Sequence, residues 1–246
     1  MSSVIMINRM IQQLNNKFGR YSIVEWGIIA VFIYFFVVLE RMMLAQIAIL
    51  MISVVIHELA HGYAAYKCGD STAKYQGRLT LNPIPHLDPL GSILLPVILV
   101  LSGSPFLFGW AKPVPVSTHQ LNDPINDMVK VAIAGPLSNV SLAVFFSGII
   151  KLMVQFSPLS PMFNAAAIDL FSYAVVINIV LAVFNMIPIP PMDGSRVLYR
   201  LLPYNGRAFL DKVEPYGMWI IILLAFFGFF DIILKTISFP IILLLL

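Results

Sequence analysis

The most specific chemistry in this chain sits in five consecutive residues, His57-Glu58-Leu59-Ala60-His61. On an α-helix, His57 and His61 lie one turn apart on the same face, so their ring nitrogens can share one Zn²⁺. Glu58 stands beside the first of them and is placed to act as general base on a water held by the metal. The motif lies inside an apolar run from Met43 to Tyr66. A central Asp in a membrane-length segment costs about 2.5–3.5 kcal/mol on insertion scales, so ionisable groups there are read as functional by default.

The elements that must position this motif are those of a membrane protein. Of 246 residues, 59% are hydrophobic and 11% charged, against about 25% charged in soluble domains. Mean hydropathy is +0.90. The net charge of +3 comes with no basic array suited to nucleic acid, and the single cysteine, Cys68, excludes an internal disulfide. Residues 1–20 hold Ile7, Met10, Ile11 and Leu14 at helical spacing, which reads as an interfacial helix. They lack the apolar core and cleavage site of a signal peptide, so the next apolar run is expected to remain as an anchor.

Spans are expected over about 23–39, 43–66, 131–155, 164–187 and 217–234, with a short apolar tail at 237–246. Gly135-Pro136 is expected in the first turn of its span, where Pro is tolerated. Residues 93–109 are apolar but interrupted by Pro96 and Pro105, and suit either a full span or a re-entrant hairpin. Arg78–Leu81 alternates like a strand, and Trp110–Ser117 suits an edge strand, confined there by Pro113 and Pro115.

Two histidines do not complete a zinc site, which needs a third protein ligand. Asp193, after the prolines that end the 164–187 span, is one candidate; His86 and Asp88, in the loop after the motif span, are others. Asp169 suits a helix start, where the dipole favours a carboxylate, and Asp231 can reach the interface. If 93–109 crossed the membrane, His61 and Asp193 would face opposite sides of a roughly 30 Å core. If it is re-entrant, the two span ends meet. The re-entrant arrangement with the N-terminus inside leaves only Arg41, Lys151 and Lys235 outside, whereas the spanning one divides Lys and Arg almost evenly. The positive-inside rule therefore favours the hairpin and puts the metal near the cytoplasmic face.

The His57–His61 motif, Gly135-Pro136-Leu137-Ser138-Asn139 and Asn185…Pro188…Pro191-Met192-Asp193-Gly194 resemble the site-2 protease family of intramembrane zinc metalloproteases. The likeness runs from about residue 43 to 215 and looks closest to compact prokaryotic members without a PDZ or CBS domain. Asn82-Pro83, His86–Gly91 and Gly109–Val116 look like segments of that subgroup. The resemblance implies that His57, His61 and Asp193 bind Zn²⁺, that Glu58 is the base, and that Asn139 and Asn185 lie near the site to hold substrate backbone. Helix–helix bonding is the other reading of the two Asn residues.

The resulting expectation is an all-α polytopic membrane protein of five to six transmembrane helices, with a re-entrant hairpin and a small membrane-embedded β element. Its zinc site lies buried near the cytoplasmic side. Residues 1–42 form the interfacial helix and first span, 43–215 the catalytic membrane core, and 216–246 the last span and tail. The expected partners are a transmembrane substrate protein and the lipid bilayer, with no nucleic acid and no soluble regulatory domain in the chain. A metal transporter using the His57/His61 face and an inactive helix-binding scaffold are the other classes. The first predicts ligands strung through the membrane, and the second a broken motif.

Overall fold

The computed structural model describes residues 41–102, 109–156 and 161–246. The expected interfacial helix and first span lie outside them. The chain divides into two compact units, Met1–Leu44 and Ala45–Leu246, and the second contains every site residue named above.

Helix α1, Arg41–Lys67, carries the motif. No proline interrupts it, and it ends where Gly69 takes φ +106°, a left-handed conformation that side chains resist. Asp70 then turns the chain: its carboxylate accepts the N–H groups of Thr72 at 2.8 Å and Ser117 at 2.6 Å. A single turn, α2 (Thr72–Tyr75), follows.

The expected strands do not form; no strand occurs among the described residues. Arg78–Leu81 is a bend. Residues 112–117 run extended, but Pro113 and Pro115 have no N–H, and the N–H groups of Val114 and Ser117 go to the side chains of Glu58 and Asp70. The segment therefore pairs with no strand among the described residues.

A wide helical turn, Pro89–Leu94, leads into α3, Leu95–Leu101. Asp88 caps it, accepting from the N–H groups of Leu90 and Gly91. The chain then comes back to where it left. Trp110 N–H donates to the Gly91 carbonyl at 3.2 Å, and Ser92 Oγ to the Trp110 carbonyl at 2.8 Å. Gly91 has to be glycine, because a Cβ there would enter the Trp110 indole.

Helices α4 (Pro124–Phe156) and α5 (Pro161–Asn185) pack along a core of Ala143, Ile150, Val175 and Ile179. The start of α4 corrects the sequence reading. Pro136 lies inside the helix, not in its first turn, and leaves the Ala132 carbonyl without its usual N–H partner. After α5 come α6 (Asp193–Leu201), α7 (Tyr204–Val213) and α8 (Gly217–Phe226). The expected span 217–234 is broken inside: Gly228 takes φ +70°, and α9 (Phe229–Ile233) continues through to α10 (Phe239–Leu245). The helices on either side of this break are bent by 74°. Three helices among the described residues are long and apolar enough to cross a membrane, and a fourth counts if the bent pair is one span. This is a mostly helical, multi-pass membrane protein.

Candidate metal centre

The two histidines project from α1 onto a gap in α4. His57 Nε2 and His61 Nε2 lie 2.9 Å apart. Both Nδ1 atoms point away, His61 Nδ1 to the Val131 carbonyl at 2.7 Å and His57 Nδ1 to Asn139 Oδ1 at 2.6 Å. The gap is Gly135. A Cβ at that position would run into Nε2 of both rings, which their Nδ1 bonds keep from swinging aside.

The tautomers follow from bookkeeping along the chain of bonds. Asn178 Nδ2 donates to Ser53 Oγ and to the Ala174 carbonyl, so its Oδ1 accepts. Asn139 Nδ2 donates to that Oδ1 at 2.9 Å, so Asn139 Oδ1 must accept from His57 Nδ1. A carbonyl fixes His61 in the same way. Both Nδ1 atoms carry the proton, and both Nε2 atoms present lone pairs.

Asp193 brings the third donor. The turn from Met186 to Met192 is tight enough that Gly194 packs on the Met186 carbonyl, where a Cβ would not fit. Asp193 opens α6 from there. Its Oδ2 is 3.2 Å from each Nε2 and, though buried, meets no hydrogen-bond donor. Three electron-pair donors thus converge with no proton between them, an arrangement that repels itself unless a cation sits there. Ligands about 2.0–2.2 Å from one zinc lie about 3.3 Å apart along a tetrahedral edge, so the set fits Zn²⁺. It is the one group of at least three His, Cys, Asp or Glu found to converge in this way among the described residues.

Glu58 stands outside the ligand set. Its Oε2 accepts the Val114 N–H at 2.7 Å, so the segment after Trp110 closes over it. The other candidates serve structure. His86 is buried with Nε2 3.0 Å from the Thr80 carbonyl, and Asp88 is a cap. Asp169 lies on α5 and Asp231 on α9, neither in the cluster. Asn185 Nδ2 donates to the Leu181 carbonyl at the end of α5, one turn before the Asp193 loop. Asn139 is wholly buried, and its amide bonds to His57, Asn178 and Ser53, which puts it behind the His57 ring. Sequence reasoning passed over Asn178 and Ser53, and it read Trp110–Ser117 as an edge strand without its bond to Glu58. A lone Asn in the run Val176-Ile177-Asn178-Ile179-Val180 was a signal for the first.

Apolar spans that carry a His-His-Asp centre, with a further carboxylate beside it, define a metalloenzyme of the membrane. The chain belongs to peptidase family M50 and is a zinc metalloprotease of the site-2 protease kind. The family model matches residues 146–228. YwhC of Bacillus subtilis, a zinc metalloprotease by name, is 43% identical over 71% of this chain and 77% of its own length. Rip2 of Mycolicibacterium smegmatis and MJ0611 of Methanocaldococcus jannaschii, zinc metalloproteases by name, are 29% and 35% identical over 71% and 58% of this chain. This chain spans 63% of the length of each of those two. No solved structure matches it.

Proposed function

We propose that this protein hydrolyses peptide bonds in membrane-spanning segments of other proteins, with His57, His61 and Asp193 holding the zinc and Glu58 as general base. The observation that carries the reading is the meeting of His57 and His61, on an apolar membrane-length helix, with Asp193, which opens α6 after the turn that follows another. Zinc supplies Lewis acidity towards the peptide carbonyl and the attacking water. Glu58, next to a ligand but not itself one, takes the proton from that water and delivers it to the leaving amine. A helical carbonyl is already hydrogen-bonded, so a substrate helix must unwind locally to be cut.

Three finer features belong to this reading. The return of Trp110 to Gly91 supports a re-entrant hairpin, since Pro89–Leu99 at about 1.5 Å per residue falls well short of a 30 Å core. The hairpin lets α1 and α5 run parallel and, by the charge distribution, opens the site to the cytoplasm with the N-terminus on that side. Within the described residues, the Val114 carbonyl and Val116 N–H make no hydrogen bond, which supports addition of an unwound substrate along that edge. Asn185, beside the Asp193 loop, is the other candidate to touch substrate backbone.

Zinc content of the purified protein tests the ligand set. Wild type and Glu58→Gln are expected to hold about one zinc per chain, and Asp193→Ala to lose most of it. Zinc retained by Asp193→Ala would remove the third ligand and the parallel spans with it. Turnover of a single-span reporter by Glu58→Gln at the wild-type rate would remove the base.

A further inference from the structure

Arg78 is 6% exposed, yet no carboxylate pairs with it among the described residues. A buried guanidinium needs compensation. Here the compensation is backbone: Nη2 donates to the Lys112 carbonyl at 2.8 Å and to the Pro113 carbonyl at 3.2 Å. The Pro113 carbonyl and the Val114 N–H are the two ends of one peptide group, and the N–H end donates to Glu58 Oε2. A cation and an anion therefore sit at opposite ends of a single peptide dipole. The guanidinium draws density from the carbonyl and strengthens the N–H as a donor, while the carboxylate strengthens the carbonyl as an acceptor.

The surrounding contacts fix this geometry. Pro113 and Pro115 flank Val114, so a slip of one residue would present Glu58 with a nitrogen that has no proton. Lys112 N–H is tied to the His86 carbonyl at 2.9 Å and Ser117 N–H to Asp70 at 2.6 Å, one at each end of the segment. One turn after Glu58, Gly62 lets the segment lie on α1, since a Cβ there would come 3.1 Å from Val114 Cγ1.

We propose that Arg78 is a positioning residue for Glu58, acting through the Pro113–Val114 peptide group. Its effect on turnover rests on the reading of Glu58 as base; its effect on the Val114 amide does not.

The test uses zinc-loaded full-length protein in detergent micelles, labelled with ¹³C-carbonyl proline and ¹⁵N valine. Only Pro-Val pairs then give correlations: Val97, Val114 and Val116. In wild type the Val114 amide proton lies downfield, as expected of a donor to a carboxylate. Arg78→Gln, which keeps an amide donor but no charge, moves it upfield, as does Glu58→Gln, and Val97 stays in place. Towards a single-span reporter in liposomes, Arg78→Gln lowers kcat about tenfold or more with KM and zinc content unchanged, and Arg78→Lys recovers part of the loss. A Val114 signal and a kcat both at wild-type values in Arg78→Gln overturn the proposal. If Arg78→Gln moves the Val114 signal while Glu58→Gln still turns over, the base reading fails and the positioning stands. If Arg78→Gln does not fold, Arg78→Lys decides: a signal held downfield supports the role, and one at the Glu58→Gln position overturns it.

Discussion

His57 and Glu58, proposed as metal ligand and general base, are neighbours in sequence but are held by different means. His57 is held from within the spans, by Asn139 on α4, Asn178 on α5 and Ser53 on α1 itself. Glu58 is held by one N–H of an extended loop segment, which is anchored by Asp70 and Arg78. The ligand side is built from side chains on rigid helices, and the base side from backbone on a pinned loop. A metal affinity and a catalytic rate are therefore separable here, and substitutions on the two sides are expected to report on different quantities.

The sharpest way to break the ligand side is Gly135→Ala. The added methyl enters the space between two rings that cannot turn away, so zinc content is expected to fall below a tenth of wild type and turnover to be lost with it. Full zinc occupancy in that variant would show that α4 yields more readily than its packing implies. Next is Asn139→Ala, which frees His57 Nδ1. Zinc affinity measured against a chelator is expected to drop about 10–100-fold, and a change under threefold would remove the amide from the zinc argument.

On the loop side, Asp70→Asn is expected to cost about 1.5–3 kcal/mol in thermal unfolding, since it weakens two bonds to a buried carboxylate. Turnover should fall and zinc affinity stay put; a matching loss of zinc would merge the two sides into one. The same carboxylate gives a pH signature. Burial pushes Asp70 up, but the Thr72 and Ser117 bonds outweigh it and hold its pKa below the ordinary value. Its contribution is therefore complete above the unfolded pKa of about 3.9 and is lost as pH falls through the lower folded value. Asp70→Asn should flatten that acid limb. The smallest effect belongs to Asn178→Ala, two hydrogen bonds from His57. About 0.6 kcal/mol is typical of such interhelical bonds, and the zinc affinity of this variant should fall less than that of Asn139→Ala.

The same contrast explains what could be read from the sequence. His57, His61 and Asp193 announce themselves as charged or basic residues in apolar or proline-marked context, and the long apolar runs placed α1, α4 and α5 to within a few residues at most ends. Pro136 misled because a proline mid-helix looks like a helix start when the polar first turns before it, from Pro124, are read as loop. Arg78–Leu81 and 110–117 had strand-like patterns, but the Arg78 N–H goes to the Ala73 carbonyl and the Thr80 carbonyl to His86, while the N–H groups of Val114 and Ser117 go to Glu58 and Asp70, far off in sequence. Such long-range claims leave no local signature. Asn139 was noticed and Asn178 was not, although each is a single amide in an apolar span. Their pairing is a fact of how α4 packs on α5, and one sequence does not carry it.

The contacts of Trp110 with Gly91 and Ser92 bear on how this protein can vary. Because Trp110 is tied to Gly91 and Ser92, the chain between them is a loop whose two ends are already joined. Lengthening such a loop costs little entropy, about 0.6 kcal/mol for each doubling. Its length is thus uncoupled from the position of Lys112 and everything after it. A single deletion between Trp110 and Val114, by contrast, would draw Val114 away from Glu58.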